Sequence, residues 1–81
     1  MALTARIIIT LKQGVLDPQG VASKQALEHM SFQGISGIRQ GKVIDISFSH
    51  DDKTKAASDA AEMCEKLLAN TVIENYEINW I

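Results

Sequence analysis

The chain has 81 residues, enough for one domain around one small core, and its 46% apolar content excludes a disordered polypeptide. Eight basic residues against ten acidic ones, with no run of either sign, exclude the basic stripe on which nucleic-acid or anionic-membrane binding depends. No apolar run outlasts Ile7-Ile8-Ile9, the first six residues lack the order of a signal peptide, and a lone Cys64 excludes an internal disulfide or a cysteine-based zinc site, so a cytoplasmic domain is expected.

Leu3 to Lys12 alternates, with Leu3, Ala5, Ile7, Ile9 and Leu11 on one face and Thr4, Arg6, Thr10 and Lys12 on the other, which predicts a half-buried strand. Asp17-Pro18 opens a helix, Asp17 as N-cap and Pro18 in the first helical position. Its stripe is Ala22, Ser23, Ala26, Leu27 and Met30, and it stops near Ser31-Phe32 with Gly34 beyond. Ile35 to Ser49 is a second extended region. Gly41 is either a bulge in one long bent strand or part of a Gln40-Gly41 hairpin turn, and the bent strand is preferred. A turn at His50-Asp51-Asp52 caps a second helix, Lys53 to Ala69, with an apolar stripe of Ala57, Ala60, Ala61, Cys64, Leu67 and Leu68 and a Glu62–Lys66 pair toward solvent. A last strand runs from Val72 to Trp80, with Val72, Tyr76, Ile78 and Trp80 on one face. The order strand, helix, strand, helix, strand predicts an α+β two-layer sandwich, both helices on one face of a small antiparallel sheet, close to the ferredoxin-like plan. Exposed sheet edges and the apolar Trp80-Ile81 predict self-association, with Tyr76, Ile78, Trp80 and Ile81 as interface candidates.

The chemistry-bearing side chains do not assemble into a reactive set. His29 reads as an exposed helix residue, and His50-Asp51-Asp52 as a cap, because three consecutive residues do not converge on one ion. Cys64 sits in the helix stripe without the exposure and cationic neighbour of a nucleophile. The loop Gly14-Val15-Leu16-Asp17-Pro18-Gln19-Gly20 precedes a helix N-terminus but holds no Lys or Arg, and Asp17 puts negative charge where a phosphate would sit. No catalytic, cofactor-binding or metal-ligating residue is therefore assigned.

The segment Thr10-Leu11-Lys12-Gln13-Gly14-Val15-Leu16-Asp17-Pro18-Gln19-Gly20, then Arg39-Gln40-Gly41-Lys42, then Met63-Cys64-Glu65-Lys66-Leu67-Leu68-Ala69-Asn70 with Val72-Ile73-Glu74 and Tyr76-Glu77, resembles, in that order, the markers of the PurS family, the small subunit of phosphoribosylformylglycinamidine synthase. Gln13 and Thr71 stand where the family often has proline. The resemblance implies a single PurS-like domain over residues 1–81 with no catalytic residues of its own. It would serve the fourth step of purine biosynthesis, in which formylglycinamide ribonucleotide, ATP and glutamine become formylglycinamidine ribonucleotide, ADP, phosphate and glutamate. ATP and magnesium would belong to the large synthetase subunit, and this chain would join that subunit to the glutaminase subunit, support ammonia transfer, and form a homodimer or homotetramer. Asp17, Pro18, Gln19, Gly20, Arg39, Gly41 and Lys42 are the candidate partner contacts, since these two stretches are family markers and fold stability alone does not demand Gln19, Arg39 or Lys42. The rival readings are a small-molecule-sensing regulatory module of ferredoxin-like fold and a stand-alone small hydrolase.

Overall fold

The alternation of the first segment produces the central strand. In the computed structural model, which describes residues 2–81, β1 (Thr4–Leu11) is flanked by β2 (Gly41–Ser47) and β3 (Glu74–Trp80) in the order β2-β1-β3, both pairings antiparallel. The register sets Ile7 opposite Ile44 and Ile78, and Ile9 opposite Lys42 and Tyr76. Odd-numbered residues of β1 face the core, and Ala5, Ile7 and Ile9 are fully buried.

Helix α2 (Lys53–Met63) connects β2 to β3 and covers β1 on that face. Asp52 caps it, its carboxylate accepting the Lys55 N–H at 3.1 Å. Small residues at a four-residue spacing, Ala56, Ala60 and Cys64, are buried, and Cys64 joins Ala5, Ile7 and Ile9 in the core. The helix ends in a wider π-helical turn, Cys64–Leu68. That extra width brings Leu68 and Ala69 onto the sheet and turns Leu67 outward, 83% exposed, where the even helical period had placed it in the stripe. The Glu62–Lys66 pair is on the surface as expected, at 2.6 Å. Val72 belongs to a turn ahead of β3 and not to the strand face, because the Asn70 side chain and backbone take up the turn's N–H groups.

Helix α1 (Pro18–His29) starts at the expected cap: Asp17 accepts the Gly20 N–H at 2.9 Å and Pro18 opens the helix. It stops earlier than Gly34. Ser31 takes the left-handed conformation (φ 72°), and the Ser31 and Phe32 amides donate to the Glu28 and Leu27 carbonyls, both at 3.1 Å, closing the helix by the usual double hydrogen bond.

The α+β class and the strand–helix–strand–helix–strand order are those read from the sequence. Two arrangements differ. The second strand begins at Gly41, opposite Thr10, so Gly41 is neither a bulge nor a hairpin turn; residues 32–40 have no strand partner. And α1 does not lie on the sheet. It stands away from it, with residues 35–40 returning along its side, so that Gly20 is the only buried residue of the helix. The stripe Ala22, Ser23, Ala26, Leu27 and Met30 therefore splits: Ser23 and Leu27 turn toward the returning segment, while Ala22, Ala26 and Met30 face out. The radius of gyration is 16.4 Å, over extents of 50 × 27 × 15 Å. A compact domain of this length would have about 12 Å.

Candidate functional site

The two stretches singled out in the sequence meet where α1 leaves the sheet. Asp17 is the joint between them. Its carboxylate is 7% exposed; one oxygen accepts the Gly20 N–H and the other accepts the Gln40 N–H at 2.7 Å, from a residue 23 positions away. These amide donors, Gln40 foremost, hold its pKa below the ordinary carboxylate range, and the nearby Arg39 charge adds to them against the cost of burial. One side chain thus fastens both the start of the helix and the approach to β2.

Two glycines make the close approaches possible. A Cβ on Gly20 would overlap the Ile38 carbonyl oxygen, and one on Gly41 would overlap the Ile9 carbonyl oxygen. The Gln40 side chain reaches the Ser23 hydroxyl at 3.1 Å.

Arg39 turns back to the end of β1, its guanidinium donating to the Leu11 and Lys12 carbonyls at 3.3 and 3.0 Å. It satisfies backbone acceptors where the sheet ladder runs out. Lys42 reaches across β1 to Glu74 on β3, 3.9 Å away. Glu74 also accepts the Asn70 N–H at 2.7 Å.

Asp17, Pro18, Gln19, Gly41 and Lys42 line one cleft of about 280 Å³, floored by Ile9 and Leu11 and closed by Gln40 and Glu74. Gly20 and Arg39 lie beside it, against the other side of α1. Gln40 and Glu74 were not singled out in the sequence. Gln40 contributes a backbone N–H, for which residue type gives no signal; Glu74 lies in the third marker segment but shows its cross-sheet role only in the register. The carboxylates here serve as structural acceptors, so an apolar floor with a polar rim suits this cleft to recognition.

The other candidates are placed differently. Tyr76, Ile78 and Trp80 face inward and pack on the chain's own core; Ile81 is 64% exposed. Phe48 lies 6.3 Å from Trp80, and the Lys53 ammonium sits over the indole at 5.5 Å. The Glu65 carboxylate, hydrogen-bonded to the Tyr76 hydroxyl, pushes the phenol's pKa up. Cys64 is fully buried, and burial raises its thiol pKa. His29 is exposed, while His50 accepts the Asp52 N–H at 3.1 Å and lies tilted against Phe48, ring centroids 5.6 Å apart. Among the described residues, no group of three or more His, Cys, Asp and Glu side chains is placed to hold a metal ion, and no helix is long and apolar enough to cross a membrane.

The PurS family model, described as phosphoribosylformylglycinamidine (FGAM) synthase, matches residues 4–81. A PurS subunit of phosphoribosylformylglycinamidine synthase from Synechocystis sp. is 44% identical over 71 residues, 88% of this chain and 71% of that one. The crystal structure of Methanocaldococcus jannaschii PurS, described as one of the subunits of formylglycinamide ribonucleotide amidotransferase in the purine biosynthetic pathway, matches with a TM-score of 0.84 and 40% identity, over 100% of this chain and 96% of that one. A chain in the structure of PurLQS from Thermotoga maritima matches with a TM-score of 0.87 and 27% identity, over 100% of this chain and 99% of that one. Matched by the family model over residues 4–81 and by relatives over most of its length, the chain belongs to the PurS family of phosphoribosylformylglycinamidine synthase subunits.

Proposed function

We propose that this chain is the non-catalytic small subunit that joins the glutaminase and large synthetase subunits of the synthase and supports the passage of ammonia between them. The observation that carries this reading is the likeness, along its whole length, to a chain of the Thermotoga PurLQS structure. The reaction served is conversion of formylglycinamide ribonucleotide, ATP and glutamine to formylglycinamidine ribonucleotide, ADP, phosphate and glutamate, with ATP and magnesium held by the large subunit. The chain acts as a homodimer or homotetramer, and the cleft around Asp17, Pro18, Gln19, Gly41 and Lys42, with Gly20 and Arg39 beside it, is the surface offered to a partner subunit.

The cleft favours this role over catalysis because its charged groups are already engaged in holding backbone, while its rim exposes Gln19 and Lys42. Rim charges set specificity and association rate more than affinity. Lys42→Ala is the cleaner probe, since its long, exposed contact with Glu74 contributes little to stability. Arg39→Ala also frees two backbone carbonyls. Each variant, and the pair together, is expected to keep the homo-oligomer folded, to weaken assembly with the large subunit, and to lower glutamine-dependent activity several-fold while ammonia-dependent activity stays near wild type. Equal loss of both activities with assembly intact by gel filtration would overturn the delivery role.

A further inference from the structure

Strand β3 lends the cleft one residue, its first, Glu74. The turn ahead of the strand fixes that side chain. Glu74 donates its N–H to the Asn70 carbonyl at 2.7 Å, and its Oε1 accepts the Asn70 N–H at 2.7 Å, so the two residues hold each other in a closed pair of hydrogen bonds. Ile73 donates to the same carbonyl at 3.0 Å, and the Asn70 side chain accepts the Val72 N–H at 3.2 Å. With its side chain only 17% exposed, Glu74 has little freedom left.

The turn needs one acceptor from Glu74, and an amide oxygen would serve it as well as a carboxylate. The second carboxylate oxygen, Oε2, takes no part in the turn. It faces the Lys42 ammonium at 3.9 Å. Lys42 reaches it from the far side of β1: Lys42 sits opposite Ile9, whereas Glu74 sits opposite Leu11. Two strand spacings amount to about 10 Å, so the lysine crosses the sheet nearly extended. Ile9 and Leu11, between the two on the same face, are the apolar floor of the cleft.

At 3.9 Å the pair is a charge contact and not a hydrogen bond. Such a contact adds little to stability. What it does is direct the ammonium, while leaving its N–H donors available to a second acceptor. A freely rotating lysine samples many rotamers and loses them on binding; a lysine already directed loses fewer.

We infer that Glu74 is a positioning residue of the partner surface: it holds the Lys42 ammonium over the apolar floor of the cleft, ready for an acceptor on the partner subunit, and it acts on assembly through Lys42 alone. This rests on the cleft being the surface offered to a partner, as put forward above.

The test is a double-mutant cycle on assembly of the complex. Wild type, Lys42→Ala, Glu74→Gln and the double variant are each titrated into the large synthetase and glutaminase subunits. The reading is the chain concentration that gives half of the maximal glutamine-dependent activity. Glu74→Gln keeps an acceptor for the Asn70 N–H and removes the charge, so its melting temperature should equal that of wild type. Each single variant should raise the half-maximal concentration about fivefold and the double variant no further, whereas independent contributions would multiply to about 25-fold. The positioning role is overturned, with the partner surface left standing, by multiplied losses, by a Glu74→Gln chain that melts below wild type, or by one that assembles like wild type while Lys42→Ala does not. Lys42→Ala assembling like wild type overturns both.

Discussion

Asp17 does the work of two residues. As an N-cap it satisfies the Gly20 amide, a role readable from Asp-Pro ahead of an apolar stripe. As the acceptor of the Gln40 amide it spans 23 residues, and no local pattern announces that. Its lowered pKa carries a sign for stability. Protonation is disfavoured in the fold relative to the unfolded chain, whose carboxylate titrates near about 3.9. The stabilisation is therefore complete above that value and is lost as pH falls through the lower, folded pKa. Asp45 adds to the same trend, because the Arg6 guanidinium holds its carboxylate by two hydrogen bonds at 2.9 and 3.1 Å. Urea melts at neutral pH and near pH 3 should show wild type losing stability on acidification. Asp17→Asn, which cannot titrate, should begin less stable and lose less over the same interval. A variant with the wild-type pH dependence would show that Asp17 contributes nothing to it.

The elements were legible to different depths. Alternation in β1 gave the buried Ala5, Ile7 and Ile9, with Leu3 and Leu11 half-buried at the ends of the same face. In helix α2 the stripe was right at Ala60 and Cys64 but missed Ala56, which is buried where Ala57 and Ala61 are only half-buried. Beyond Cys64 the π-helical turn broke the period, moving Leu67 out and Leu68 with Ala69 in, and a stripe counted at 3.6 residues has no means to foresee that. The thiol marks this boundary. Wild-type Cys64 should react slowly with thiol reagents under native conditions and quickly once unfolded, and Cys64→Ser should cost about 1–3 kcal/mol through an unsatisfied buried hydroxyl. Fast native labelling would place the π-helical turn in exchange with an open form. For α1, the cap and the stripe were readable but the destination of the stripe was not: an amphipathic pattern states that a face will be covered, without stating by what. The run 35–40 was misjudged for the same reason: its residues are strand-like, yet the β1–β2 pairing ends at Thr10 opposite Gly41 and β1 itself ends one residue later at Leu11.

At the scale of the whole molecule, the chain consists of a small sheet covered by one helix and an arm anchored at one polar joint. The candidate partner surface gathers at that joint because the first two marker stretches, far apart in sequence, are its two sides. Their adjacency was not visible in the sequence; their importance was visible only through resemblance to the family.

The lone Trp80 has a use of its own. It and the single Tyr76 both lie on β3, and residues 12–40 contain neither type, so the tryptophan and tyrosine emission originates in the sheet. With Phe48 beside the indole and the Lys53 ammonium above it, emission reports the packing of the strands and the first turn of α2. Circular dichroism at 222 nm, by contrast, counts α1 as well. The two signals amount to separate meters for sheet and arm. In a urea titration, ellipticity should begin to decline before the emission maximum moves, because α1 buries only Gly20 whereas the sheet holds the core; coincident curves would mean that arm and sheet melt as one cooperative unit.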